Sequence, residues 1–475
     1  MRSRRLSRGG VSRRSALKLG AAGLLAACSP GAPAVQDAKQ ADVIILGAGL
    51  SGLHAARLLQ AEGAKVLILE SAPRAGGRMQ TLDDLPGRPE AGGQQVGQTY
   101  ARIRRTASDL GVGIVPYPPV ADRSRALALA GEVLHESDWA ASPRNPFPDP
   151  FKPAAPDRAL FMGAARANPF ADNYAWREAT PDQDISADAF LQSLGFDARS
   201  RLLVDHALNA NRLDTYAMAN VWRSLTLYAE DSALGPAEEI EGGSSRLVEA
   251  MAASLGDAVR TNTPVLAVEA DETGARVRTS DEALRADFVI ATAAFPALRR
   301  ISLDAPLTPL QSEAIQGLPY TRVLQIHLAV ENRFWDADGL PAAMWTDTPI
   351  ERVFPVRDRN AGEVIGLTCW INGDGAAPGA SEEDWFSLAA TILGELRGAQ
   401  VRPLKIVRWD ENSQPGGAYM HWAPGQIADW AGGMGAPAGR LHFAGEHLSF
   451  LHTGMEGAME AGERAAFEIL EAIRA

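Results

Sequence analysis

The stretch Asp42-Val43-Ile44-Ile45-Leu46-Gly47-Ala48-Gly49-Leu50-Ser51-Gly52 constrains the fold more than any other part of the chain. Its apolar start suits a buried parallel strand, and G-x-G-x-x-G follows at once. A helical pattern then runs from Leu53 to Ala61, Gly63 stops it, and Lys65-Val66-Leu67-Ile68-Leu69 supplies a second strand ending at Glu70. Each position has a physical reason. Gly47 permits the tight turn, Gly49 lets the backbone approach a pyrophosphate, and Gly52 lets helix and strand pack closely. Leu50 and Ser51 open a helix whose unpaired N–H groups and positive dipole end favour phosphate. Glu70, 18 residues past Gly52, stands where a carboxylate accepts hydrogen bonds from ribose hydroxyls, which argues against a 2′-phosphate. These residues predict an α/β, Rossmann-like dinucleotide site and leave nicotinamide and flavin cofactors both open.

Arg74-Ala75-Gly76-Gly77-Arg78 follows the acid and matches the R-x-G-G-R element seen beside flavin sites. Here the chain resembles the flavin amine oxidase superfamily, which includes monoamine, polyamine and L-amino-acid oxidases. Further motifs extend the resemblance in the same order. Glu90 to Thr99 holds Gly93, Gln94 and Gln95, where the family's backbone passes the isoalloxazine ring; Gly242 to Leu247 starts a helix leading to Thr263-Pro264-Val265. In the family, the residue matching Val265 touches adenine. Ala286 to Ala293 reads as a strand returning to the sheet. Pro415-Gly416-Gly417-Ala418-Tyr419 resembles a flavin-facing turn, and Phe443-Ala444-Gly445-Glu446-His447 with Gly454-Met455-Glu456-Gly457-Ala458 resembles the signature of a second helix facing the flavin. The resemblance implies FAD held by Arg78, Glu446 and Met455 besides the fingerprint residues. It also implies a Rossmann-like FAD domain of the p-hydroxybenzoate-hydroxylase and amine-oxidase type, carrying an inserted α+β substrate domain. The expected cofactor domain takes residues 41–118, 236–300 and 404–475, and the substrate domain 119–235 and 301–403. Residues 143–156, with six prolines, read as a surface loop. Helical spacing covers residues 184–235, and strands are expected around Val323 to Val330 and Val364 to Trp370.

Departures from the family pattern shape the chemistry. Members with covalent flavin can carry Cys before the turn tyrosine, where this chain has Ala418, so FAD is expected without a covalent bond. Counting back from Phe334-Trp335, the family's flavin-facing lysine falls on Gln325, which hydrogen-bonds but cannot shuttle a proton. Tyr419 matches one ring of the family's aromatic cage, while Gly454 replaces the other and opens the pocket. No arginine stands near Gly93-Gln94-Gln95, where amino-acid oxidases hold the substrate carboxylate, and this favours amines. Trp345 and Phe354 are further pocket candidates. His447 and His452 read as ordinary hydrogen-bonded histidines. The expected reaction is oxidation of a C–N bond to an imine by hydride transfer to flavin, with Tyr419 and Gln325 at the reacting end. A desaturase or protoporphyrinogen-oxidase-like C–C chemistry, or a flavin carrier without turnover, are the alternatives. No Cys/His spacing suggests a metal.

The first residues carry a different message. Ser12-Arg13-Arg14-Ser15-Ala16-Leu17-Lys18 resembles a twin-arginine export signal, and the apolar run Leu19 to Ala27 is too short to cross a bilayer. Leu25-Ala26-Ala27-Cys28 resembles a lipobox, with cleavage after Ala32-Pro33-Ala34 as the alternative. The reading is an exported, periplasmic flavoprotein loaded with FAD before export, touching a membrane only through a lipid on Cys28. Removing residues 1–27, with their seven positive charges, takes the formal net charge from -12 to -19. Such negative charge repels nucleic acid, whereas a quinone or a basic cytochrome could accept electrons.

Overall fold

The computed structural model describes residues 39–117, 124–206, 208–359, 361–376, 378–410 and 415–474. The export signal, the lipobox and nearly all of the tether lie outside the described residues.

Val43–Leu46 is fully buried and forms the middle of a five-stranded parallel sheet. Phe288–Ala291 pairs on one side and Val66–Leu69 on the other; Leu441–Phe443 and Val259–Arg260 take the edges. Strands so apolar need cover on both faces. One cover is the packed pair of helices Leu50–Ala61 and Gly454–Arg474, which run in the same direction, with Ser51 near Gly462 and Glu62 paired to Arg474, joined by Ser245–Leu255. The helices approach closely where Gly462 meets Ser51, since a Cβ at 462 would lie 2.3 Å from the Ser51 carbonyl oxygen. The sheet therefore draws on all three segments expected for the cofactor domain.

A four-stranded sheet, in the order Ala283–Ala286, Ala275–Thr279, Val265–Ala270 and Ser302–Asp304, stands beside it. Ser302–Asp304 lies past the boundary expected at residue 300, and it pairs in parallel with Val265–Ala270. The seven-stranded sheet of the substrate half runs Val401–Arg408, Val323–Val330, Val364–Asn372, Arg352–Arg357, Met344–Thr346, Ala126–Leu129, Glu132–His135. It thus crosses the boundary expected at residue 403, because Val401–Arg408 completes the hydrogen bonding of Val323–Val330. One face packs Leu324, Ile326, Val353 and buried Cys369 against Glu382–Arg397, a helix begun by a Ser381–Asp384 capping box. The other face looks toward the flavin motifs.

The helical layer contains Pro156–Arg166, Ala187–Ser193, Ala198–Asp205 and Met218–Leu234. The proline-rich segment before it is not a surface loop. Phe147 and Phe151 are buried, each packing on Phe196 with ring centroids 5.2 and 5.1 Å apart. Asn145 supports this burial: its Nδ2 donates to the carbonyls of Trp139 and Lys152, tying the two ends of the segment together.

Candidate active site

The glycine turn between Val43–Leu46 and Leu50–Ala61 opens onto a cavity of about 2210 Å³, well above the roughly 300–1,000 Å³ of a single small-ligand site. Gly47 adopts φ 111°, and Thr292 Oγ1 secures the turn by donating to the Leu46 carbonyl at 2.8 Å. A Cβ on Gly52 would stand 2.1 Å from the Gly47 carbonyl oxygen, so close packing of helix on strand demands glycine. Gly49 differs. It heads the helix with φ -78° and ψ 178°, no side chain caps that end, and a Cβ there would meet nothing within 4 Å. An uncapped helix N-terminus facing open space is a phosphate cradle. Leu50 and Ser51 line it, and the buried Ser51 hydroxyl has no partner among the described residues.

Glu70 lines the cavity at the end of the adjacent strand, Val66–Leu69. Its carboxylate accepts N–H bonds from Ala48 and Ala72, both at 2.8 Å, so it braces the turn and keeps lone pairs for ribose hydroxyls. Val265 lines the same end. Arg74 organises the next loop through the carbonyls of Ala75, Gly77 and Met79. Arg78 reaches across the site: Nη1 donates to the Ala418 carbonyl at 2.7 Å and to Glu446 Oε1 at 2.8 Å, and Glu446 also accepts from the Met420 N–H. Three distant segments are thereby tied together. Gly93 touches Met455, since a Cβ at 93 would lie 2.7 Å from its Sδ. Gln94 and Gln95 line the cavity alongside Gly93. The fingerprint residues, Arg78, Glu446 and Met455 thus converge on one wall, with an uncapped helix end, an orphaned hydroxyl and a ribose-facing acid. That set fits FAD.

Beyond this wall the seven-stranded sheet sets the second half of the cavity. Its register aligns Arg352, Trp370 and Gln325 in one cross-strand row and Phe354, Thr368 and His327 in the next. Side chains of directly paired residues share a face. Arg352, Phe354, Thr368 and Trp370 line the cavity together with Tyr419, Tyr216, Asn209 and Tyr228. Gln325 does not. It is fully buried behind the wall, where Nε2 donates to the Ala91 carbonyl at 3.0 Å and its amide oxygen lies 3.2 Å from His327 Nε2. Gln325 is thus held against the backbone of Ala91, a residue that lines the cavity, and is not itself in the lining. Its amide satisfies a backbone carbonyl that Trp409 Nε1 also reaches, at 2.8 Å.

Tyr419 sits on the turn of Gly416 and Gly417, and burial raises its phenol pKa, so it stays neutral. Gly454 lines the cavity at φ 56° with open space at its Cβ, which leaves that side without a ring. Phe354 lines the cavity and is 45% exposed, whereas Trp345 is buried outside the lining. His447 is buried away from the cavity, pushed down to about 3 by burial and by the charges of Arg78 and Arg464. His452 bonds Thr99 Oγ1 at 3.3 Å. Arg223 braces the approach to Gly454 by donating to the carbonyls of Ser449, Phe450 and His452. Sequence reasoning missed Arg352, Asn209, Tyr216 and Thr368. The alternation Arg352-x-Phe354 and Thr368-x-Trp370 carried a signal, but only strand pairing reveals which face meets the cavity. Among the described residues no group of His, Cys, Asp and Glu could hold a metal ion.

Comparison with known proteins agrees with this geometry. Residues 50–470 match the model of the family described as flavin containing amine oxidoreductase. An L-amino-acid oxidase of Siganus canaliculatus is 25% identical over 94% of this chain and 88% of its own length. Amine oxidase [flavin-containing] B of Homo sapiens is 26% identical over 92% and 87%. Among solved structures, cyclohexylamine oxidase from Brevibacterium oxydans superposes with a TM-score of 0.73 at 23% identity, covering 92% of this chain and all 100% of that one. A redesigned triple mutant of putrescine oxidase gives the same TM-score of 0.73 over 91% and 99%. With its dinucleotide cradle, its flavin-side turn and a family match running through nearly the whole fold, the chain belongs to the flavin-containing amine oxidoreductase family, and its cofactor is FAD.

Proposed function

We propose that the protein oxidises the C–N bond of a small amine to an imine, which water then hydrolyses to a carbonyl compound and free amine or ammonia. The observation that carries this reading is the neutral Tyr419 on the flavin-side turn, facing a cavity that also holds Trp370 and Phe354. FAD supplies the acceptor for the hydride that leaves the amine carbon. The chain supplies the surroundings. Hydride departs readily only when the nitrogen lone pair is free, and an aromatic, water-poor wall disfavours the ammonium form. Gly454 leaves space opposite Tyr419 for a bulkier amine than a two-ring cage would admit. The test is anaerobic mixing of the holoenzyme with a panel of primary and secondary amines. Bleaching of the flavin with formation of the carbonyl product supports the reading; a flavin left oxidised by every amine would remove it.

The acceptor for the electrons is proposed to be a quinone or a basic cytochrome rather than oxygen. Oxygen reduction builds negative charge that a nearby cation stabilises, and the family's lysine is here Gln325. The sequence signal supports export in the folded, FAD-loaded state to the periplasm, where the acidic mature chain would attract a basic partner. Replacing Arg13 and Arg14 by Lys should leave a flavin-loaded protein in the cytoplasm, and normal export of that variant would refute the signal. Cys28→Ala should release the protein from membranes if the lipobox is used.

A further inference from the structure

We propose that Arg352, positioned by Asn209, is an anion-binding subsite of the substrate cavity, so that the amine oxidised carries a carboxylate. This inference rests on the amine reading and narrows it to amino acids and other carboxylated amines.

Arg352 lines the cavity from the strand Arg352–Arg357, in the same cross-strand row as Trp370. Its only hydrogen bond among the described residues runs from Nη2 to Asn209 Oδ1 at 2.8 Å. Nε is sealed from solvent and has no acceptor. A guanidinium carries five N–H donors and cannot shed its charge inside a protein, so a half-buried one with a single neutral partner leaves most of its bonding capacity unused. Other cations near the cavity are treated differently. Arg125 holds Asp157 through two bonds of 2.6 Å and also bonds Glu136, and Arg78 holds Glu446.

Among the described residues no acid forms a hydrogen bond or ion pair with Arg352. Asp157 is already committed to Arg125. Glu351 stands just before the strand with a left-handed backbone, φ 49°, and its carboxyl accepts from the Asn372 N–H at 3.0 Å instead. Burial pushes Glu351 up to about 8, which leaves it protonated at neutral pH. The Phe354 ring, whose centroid lies 6.0 Å from the guanidinium carbon, gives weak support at most. Asn209 is itself fixed by Asn372 Nδ2 at 3.3 Å, so the fork is oriented before any ligand arrives. Tyr419 lines the same cavity, so the cation shares its walls with the aromatic ring. A carboxylate with two oxygens matches such a fork, and the positive charge also works against binding an ammonium, favouring the neutral amine that can release hydride.

The test compares matched pairs on the FAD-loaded enzyme: L-phenylalanine with phenethylamine, L-leucine with isoamylamine, and 4-aminobutanoate with butylamine. In at least one pair the carboxylated member should reduce the flavin with kcat/KM roughly a hundredfold above its partner. Arg352→Met should shrink that ratio to near one, and Arg352→Lys should keep an intermediate ratio while flavin content stays at the wild-type level. A ratio unchanged in Arg352→Met, or a wild type that prefers the uncarboxylated member of every pair, would overturn the subsite. If no amine reduces the flavin, benzoate separates the two ideas. Perturbation of the flavin absorption by benzoate in wild type but not in Arg352→Met supports the subsite although the amine reading has failed, and no perturbation in wild type overturns the subsite as well.

Discussion

Gly49→Ala separates the folding role of the glycine turn from its binding role. In the protein alone the new Cβ meets no heavy atom within 4 Å, and φ -78° with ψ 178° suits any residue. Stability without FAD should therefore hold, or rise by about 0.4–1 kcal/mol as the unfolded chain loses glycine's freedom. Binding should not hold. The methyl group occupies the side from which a pyrophosphate approaches the helix end, and losing one charge-assisted N–H contact costs about 1.5–3 kcal/mol, roughly ten- to hundredfold in Kd. Gly52→Ala makes the contrast. Its Cβ would stand 2.1 Å from a backbone oxygen and 3.1 Å from Ile45 Cγ2, so strand and helix must separate, an overpacking cost of about 1–3 kcal/mol or more with or without FAD. The assay is thermal unfolding of the two apoproteins beside FAD titration by flavin fluorescence. Wild-type FAD affinity in Gly49→Ala, or an apoprotein destabilised as much as Gly52→Ala, would refute the assignment of the phosphate to Gly49.

Three more outcomes are expected. Because Ala418 offers no sulfur, denaturing the holoenzyme should release intact FAD to the supernatant; flavin that precipitates with the polypeptide would show another covalent link. Glu446→Gln weakens the tie to Arg78 and the Met420 N–H, and should lower stability by about 1–3 kcal/mol while loosening FAD, seen as a lower flavin-to-protein ratio. Stability should also fall as pH drops below about 6.5, because burial holds His447 near 3 and both His327 and His421 near 4. The unfolded chain binds those three protons first. Glu351, pushed up to about 8 from 4.5, acts in the opposite direction by keeping a proton only when folded. Between pH 4.5 and 6.5 the net difference is about two protons, a slope of roughly 2–3 kcal/mol per pH unit at most. Denaturant midpoints that stay flat from pH 7 to pH 5 would contradict this balance.

What the sequence determined by itself was whatever depends on local spacing. Strand, glycine turn, helix and acid over residues 42–70 dictate a dinucleotide cradle because tight turns and close backbone approach admit few residue types. The ordered motifs at Arg78, Gly93, Tyr419, Glu446 and Met455 likewise named the flavin wall. Strands at Val323–Val330 and Val364–Asn372 were legible from their apolar runs. Other properties depend on pairing between distant segments, which no local pattern encodes. Register aligns Gln325 with the cavity-lining Trp370 and Arg352, and packing of the Ala91 segment over it engages its amide with the Ala91 carbonyl. Sheet completion drew Val401–Arg408 to the substrate half and Ser302–Asp304 to the cofactor half. Packing on Phe196 buried Phe147 and Phe151 inside a segment whose prolines suggested solvent. Arg352 shows the same division most clearly: charged residues on a strand are ordinarily solvated, and only the fold, by setting this sheet face against the cavity with Asn209 beside it, turns this one into a half-buried cation of the cavity wall.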